Sequence, residues 1–120
     1  MAIVNLTHKT FDQVVADNEI VLIDFWASWC QPCLNFAKIY QAAAKDYQDL
    51  VFGKIDIEAE PQLATDFKVR SIPLLMILKQ QIAIFSESGA MPKTTLVDLI
   101  EQAKVVDVAP IKAKINAQKS

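Results

Sequence analysis

The feature that most constrains the fold is the run Val21-Leu22-Ile23-Asp24-Phe25-Trp26, which is apolar at every position except Asp24. Side chains along a strand alternate between the two faces of its sheet, so a run without polar alternation is covered on both sides. This is the pattern of a central strand with helices above and below it. Asp24 is the anomaly in that run, a carboxylate where the pattern asks for a hydrocarbon.

The strand leads directly into Trp29-Cys30-Gln31-Pro32-Cys33, which holds the only two cysteines of the chain. Beyond it Phe36, Tyr40, Ala43 and Tyr47 recur at helical spacing, with Lys38, Gln41 and Lys45 on another face, so an amphipathic helix follows. Pro32 is tolerated in its first turn, where the amide has no intrahelical partner to lose. A lone C-x-x-C at a strand-to-helix junction reads as a redox dithiol. Exchange with a disulfide requires a thiolate, and a free cysteine is mostly protonated at neutral pH. At the start of a helix Cys30 meets unpaired amides and the positive end of the helix dipole, which lowers its pKa. It is assigned as the exposed nucleophile, and Cys33, one turn further in, as the more buried resolving thiol. Two other readings stand beside this one. The pair could be inert and buried, or it could be half of a zinc site. Zinc normally takes four ligands, and this chain adds only His8 and carboxylates, so a metal inside one chain is disfavoured, whereas two chains sharing one stays open. His8 itself reads as a surface residue without a catalytic role.

The remaining segments supply the layers around the strand. Ile3 to Leu6 reads as a short strand, and Thr10 with Gln13 matches a capping box opening a first helix to about Asp17. Val51 to Ile57 is a strand, and a short helix runs from about Gln62 to Phe67. Leu74 to Leu78 and Ile82 to Phe85 form a hairpin across Lys79-Gln80-Gln81, although neither Gly nor Asn is present there to supply positive φ. Pro92 opens a last amphipathic helix with Leu96, Leu99, Ile100 and Ala103 on one face. The order is β-α-β-α-β-α-β-β-α, an α/β chain with a mixed sheet and helices on both faces. Residues 1–104 form one domain, and residues 105–120 read as a mildly basic surface tail with a helical turn or two.

Composition excludes several classes of partner. The 120 residues carry a net charge of −2, so no basic field draws the protein to nucleic acid. The longest apolar runs are far too short to span a bilayer. The first residues lack the basic start and apolar core of a secretory signal, so a cytoplasmic location is expected. In that reducing compartment a close cysteine pair is catalytic or metal-binding rather than a structural staple.

From about Asn5 to Ala103 the chain resembles the thioredoxin family. Asp24-Phe25-Trp26-Ala27-Ser28-Trp29-Cys30-Gln31-Pro32-Cys33 is similar to the family's active-site segment, with Gln31 where Gly is usual. Asp24, Lys54, Ile72-Pro73 and Gly89-Ala90 fall at matching places. Leu34 stands where many members carry Lys, Lys38 where the helix often has Pro, Leu74 where Thr is usual, and Gln80-Gln81 where the hairpin has Asn-Gly. None of these removes a reacting group. The resemblance implies a thioredoxin fold, a central mixed five-stranded sheet flanked by four helices. It implies a thiol-disulfide oxidoreductase, a protein-disulfide reductase with Cys30 attacking and Cys33 resolving. It places Asp24 buried behind the pair, its pKa raised by desolvation, exchanging a proton with Cys33 through water, and Lys54 beside it as a tuning charge. The alternatives are a solvent-facing Asp24 and a snorkelling Lys54. The Ile72-Pro73 bond is implied to be cis and to face the disulfide, against the ordinary trans form that base rates favour. Trp29, Ile57, Ile72, Pro73, Gly89 and Ala90, with Gln31 and Pro32 between the cysteines, make the substrate-binding surface, while Trp26 and Phe25 read as core.

As partners the resemblance implies oxidised proteins and a thioredoxin reductase. The chain itself holds no cofactor and no metal; NADPH binds the reductase, because no glycine-rich nucleotide loop is present here. It is expected to act as a monomer. Two rivals keep the fold: a dedicated donor, oxidant or isomerase with a potential shifted by Gln31, and a binding subunit in which redox is incidental.

Overall fold

The structure is a computed structural model that describes residues 3–119. Its elements are β1 Val4–Asn5, α1 Phe11–Asp17, β2 Ile20–Trp26, α2 Gln31–Asp46, β3 Val51–Asp56, α3 Pro61–Asp66, β4 Leu74–Lys79, β5 Ile82–Ser88, α4 Lys93–Val105 and α5 Ala109–Lys119. The strands form one five-stranded sheet in the order β1-β3-β2-β4-β5. β1, β3 and β2 run parallel, and β4 and β5 are antiparallel to their neighbours. The mixed α/β sheet expected from the sequence is present, with the apolar run Ile20–Trp26 at its centre.

Alternation along β2 sorts the core into two layers. Ile20 and Leu22 point to the face covered by α2 (Phe36, Tyr40, Ala43) and α4 (Leu96, Ile100, Ala103). Val21, Ile23 and Phe25 point to the other face, against Phe11 and Val15 of α1 and Leu63 of α3. Burying side chains of this size contributes about 1.5–3 kcal/mol each, so β2 is gripped from both sides. Asp24 has the phase of Leu22 and therefore lies on the α2 face, in register with Lys54 of β3 and Leu75 of β4. Gly53 lets β1 come close: a Cβ there would stand 2.6 Å from Leu6 Cδ1 and 3.3 Å from the Leu22 carbonyl oxygen. The Tyr40 hydroxyl donates to the Gly53 carbonyl at 2.8 Å and ties α2 to the sheet.

Local geometry departs from the sequence expectation in three places. The capping box at Thr10 and Gln13 does not form. The turn begins earlier, at Thr7, whose carbonyl accepts from the Thr10 and Phe11 amides at 3.1 and 2.9 Å. Thr10 is thus already helical (φ −104°, ψ −16°); its Oγ1 accepts from the Thr7 amide at 3.0 Å, and Gln13 donates to Asp17 at 2.8 Å. The hairpin closes at Lys79–Ile82 around Gln80 and Gln81, both left-handed (φ 50° and 69°), the pattern of a type I′ turn made without glycine. Tertiary bonds hold it: the Gln80 amide donates to the Glu19 carbonyl at 2.7 Å, and Lys112 Nζ donates to Gln80 Oε1 at 2.6 Å. β5 also extends to Ser88, beyond Phe85, with a register shift between Ile77 and Leu78.

The third departure is at the C-terminus. In place of a tail with a turn or two there is a fifth helix, α5, of 11 residues. Lys79, read as a loop residue, is the last residue of β4 and only 5% exposed. Its Nζ donates to the carbonyls of Ala103, Lys104 and Val106 at 2.9, 3.0 and 2.6 Å. The last carbonyls of a helix have no intrahelical donor, and a cation is favoured at that end. Val108 is buried beyond this cap, so packing continues past Lys104. Among the described residues no helix is long and apolar enough to cross a membrane.

Candidate functional site

Cys30 and Cys33 are joined by a disulfide, their Cα atoms 5.2 Å apart. The chain leaves β2 through a tight turn in which the Cys30 amide donates to the Ala27 carbonyl at 3.2 Å, and the Leu34 amide then donates to the Cys30 carbonyl at 3.1 Å to start α2. Cys30 is the N-cap of that helix, with extended backbone (φ −93°, ψ 104°). Its Sγ accepts from the Cys33 amide at 3.2 Å. An otherwise unpaired first-turn amide aimed at this sulfur favours the thiolate once the disulfide opens. Cys33 has no exposed surface and Cys30 has 5%. The expectation of an exposed Cys30 is therefore corrected: it is the more accessible of the two but nearly covered, because Ala27, Trp26, Ile57 and Ile72 pack around the pair.

The Ile72–Pro73 bond is cis. The Ile72 carbonyl oxygen lies 3.9 Å from Cys30 Sγ, and the Pro73 carbonyl accepts from the Gly89 amide at 2.8 Å. Gly89 has φ +99° and nothing within 4 Å of where a Cβ would be, so conformation rather than space calls for glycine. Ile57 and Ile72 are half-buried against the cysteines, and Pro73 is buried. Trp29 is 65% exposed. Gln31, Pro32, Gly89 and Ala90 are exposed as well. The Gln31 side chain donates to Asn35 Oδ1 at 3.1 Å, which draws its amide along the outside of α2.

Asp24 is completely buried, and among the described residues neither of its oxygens has a hydrogen-bond partner. Burial raises its pKa from 3.8 to about 7, partly opposed by the Lys54 charge. Lys54 Nζ stands 3.9 Å from Asp24 Oδ2 and 4.5 Å from the centre of the Trp26 ring, so it turns inward along the sheet rather than out to solvent. Burial also pushes the Tyr40 hydroxyl well above its usual range, and the Asp24 charge adds to that shift.

Trp26, read from the sequence as core, is only half-buried. It packs against the cysteine cluster, its Nε1 is buried without a hydrogen-bond partner among the described residues, and it lines a cavity of about 250 Å³ with Asn5, Thr7, Lys54, Asp56 and Glu60.

 The phase of β2 carried the signal for Trp26, since alternation from Asp24 places it on the α2 face. His8 is exposed, with Nδ1 3.7 Å from Glu60. Among the described residues no three His, Cys, Asp or Glu side chains gather as a metal would require.

Residues 2–102 match the Thioredoxin family model. The chain is 49% identical over 117 residues to the putative thioredoxin 2 of Streptomyces coelicolor, covering 98% of this chain and 87% of that protein. It is 39% identical over 103 residues to thioredoxin 1 of a Nostoc species, covering 84% and 96%. Among solved structures, the thioredoxin of Plasmodium falciparum superposes with a TM-score of 0.78 at 30% identity, covering 83% of this chain and 98% of that one. The family model ends before α5, whereas the Streptomyces alignment takes it in.

Proposed function

The chain belongs to the thioredoxin family, whose members are thiol-disulfide oxidoreductases, and from that premise we propose that it is a protein-disulfide reductase in which Cys30 attacks and Cys33 resolves. The observation that carries the assignment of roles is the N-cap: Cys30 Sγ accepts the Cys33 amide at 3.2 Å, while Cys33 has no exposed surface. In the reduced protein the Cys30 thiolate attacks one sulfur of a substrate disulfide. The other substrate sulfur leaves as a thiolate and takes a proton, and a Cys30–substrate disulfide forms. Cys33 then gives its proton, through water, to the Asp24 carboxylate, attacks Cys30 Sγ and displaces the second substrate thiolate. Two electrons pass to the substrate and the Cys30–Cys33 disulfide is restored. A carboxyl with a pKa of about 7 is suited to exchanging that proton near neutrality, with Lys54 tuning it.

In this reading Trp29, Gln31, Pro32, Ile57, Ile72, Pro73, Gly89 and Ala90 receive the substrate. A thioredoxin reductase, carrying NADPH on its own chain, returns the disulfide to the dithiol. The protein acts as a monomer in the cytoplasm, without nucleic acid or membrane as partner. The test is reduction of insulin disulfides. Wild type turns over, Cys33→Ser accumulates the mixed disulfide, and Cys30→Ser is inactive; full activity in Cys30→Ser would overturn the mechanism. A potential near about −270 mV fits a reductase, and one near about −120 mV would make the protein an oxidant instead.

A further inference from the structure

Two irregular segments, residues 67–73 and 89–92, meet at Pro73 and Gly89 beside the Cys30–Cys33 disulfide. The first leaves α3 with the Val69 amide still donating to the Ala64 carbonyl at 2.9 Å. The next residues are then tied across the sheet: Ser71 Oγ donates to Ser88 Oγ at 2.9 Å. Ser88 is the last residue of β5 and stands opposite Leu74. One residue further, the Gly89 amide donates to the Pro73 carbonyl at 2.8 Å. These two bonds bracket Ile72, whose carbonyl oxygen lies 3.9 Å from Cys30 Sγ. Among the described residues no atom lies within 4 Å of where a Cβ on Gly89 would be. The turn is therefore located from the Ser88 and Pro73 side.

We propose that Ser71 and Ser88 are positioning residues, a hydroxyl clasp that holds the Ile72–Pro73 loop and the Gly89–Ala90 turn at the spacing that receives an extended segment of a protein disulfide. Neither hydroxyl takes part in the exchange of sulfur bonds. Their effect is preorganisation, because loops already ordered lose less entropy on binding than loops that must be ordered by the substrate. The proposal rests on the reductase reading and adds to it the residues that shape its groove. A single exposed hydrogen bond sets the scale, an effect of about threefold to tenfold on binding.

The experiment compares wild type with Ser71→Ala, Ser88→Ala, the double variant and Ser71→Thr, which keeps a hydroxyl. KM and kcat are measured for insulin disulfides, and hydrogen exchange is followed at the Gly89 amide. Each Ala variant raises KM about threefold and moves kcat far less, the double variant raises KM no further than either single, and Ser71→Thr retains the wild-type KM. Gly89 exchange quickens in both Ala variants. An unchanged KM in variants of an active protein, or single effects that multiply in the double variant, overturns the clasp alone. A wild type that reduces no insulin overturns the reductase reading, and Gly89 exchange then decides the clasp: unchanged protection in Ser71→Ala refutes it.

Discussion

Replacing Asp24 by Asn tests the buried carboxyl through stability rather than through turnover. In the unfolded chain this carboxyl has a pKa near 3.8, and in the fold about 7. Below about pH 4 it is protonated in both states and costs nothing. Between pH 4 and 7 the unfolded chain releases the proton while the folded protein keeps it, so stability falls as pH rises. Above pH 7 both states are ionised and the penalty is constant. The rise from 3.8 to about 7 makes that penalty about 4 kcal/mol.

Asp24→Asn cannot ionise, so the variant escapes the slope. Every other titrating group is shared, and its effect cancels in the difference between the two proteins apart from Lys54, which loses its partner. The assay is urea unfolding of the oxidised proteins at pH 4, 6 and 8. The variant's advantage over wild type should grow by about 4 kcal/mol from pH 4 to pH 8, whatever constant offset the amide introduces. A difference that stays flat across that range would show that the fold holds the Asp24 charge at no cost, and the poised carboxyl of the mechanism would go with it.

Three further substitutions probe the frame around the site. Lys79→Met removes the ammonium that donates to the Ala103, Lys104 and Val106 carbonyls and should cost about 3 kcal/mol, since bonds to a charged group contribute about 1.5–3 kcal/mol and helix-end carbonyls partly turn to water; a urea midpoint within error of wild type would refute it. Gln81→Gly relieves a left-handed side chain at φ 69° and should stabilise by about 1 kcal/mol, read as a rise in Tm of about 4 °C. Gly53→Ala drives a methyl to 2.6 Å from Leu6 Cδ1 and should destabilise by about 1–3 kcal/mol in the same melt, and an unchanged Tm would show that β1 moves aside freely.

Much of the fold was legible because apolar phase is a local signal. Ile20–Trp26 announced a strand covered on both faces, and Phe36, Tyr40 and Ala43 announced the helix that covers one of them. What stayed hidden depends on partners distant in sequence. Lys79 reads as a loop residue because a lysine beside two glutamines is polar in every local window; only the end of α4, brought over it by the fold, makes it a buried cap. Without that cap nothing marks α5 as more than a tail. Gln80 and Gln81 likewise give no turn signal; both are left-handed, and Gln80 is held by Glu19 and Lys112 from elsewhere in the chain.

The site divides along the same line. Asp24 could be singled out because it breaks an apolar run, and the cysteines because they are the only two; Ile72, Pro73 and Gly89 had no local mark and came from resemblance alone. Ser71 and Ser88 had neither, and the reason lies in the hairpin register. Lys79 pairs with Ile82 and Leu78 with Ala83, but Ile77 then pairs with Phe85, so Ile84 is an extra residue on β5. Every pair beyond it is displaced by one. Leu74, next to Pro73, therefore faces Ser88; without the extra residue it would face Glu87, and a carboxylate would stand where the Ser71 hydroxyl now finds its partner. The turn at Gln80–Gln81 fixes the start of that count and the bulge at Ile84 fixes its end. The pairing of Ser71 with Ser88 beside the cis bond is thus set by the turn and the bulge of the hairpin, through the count of residues between them.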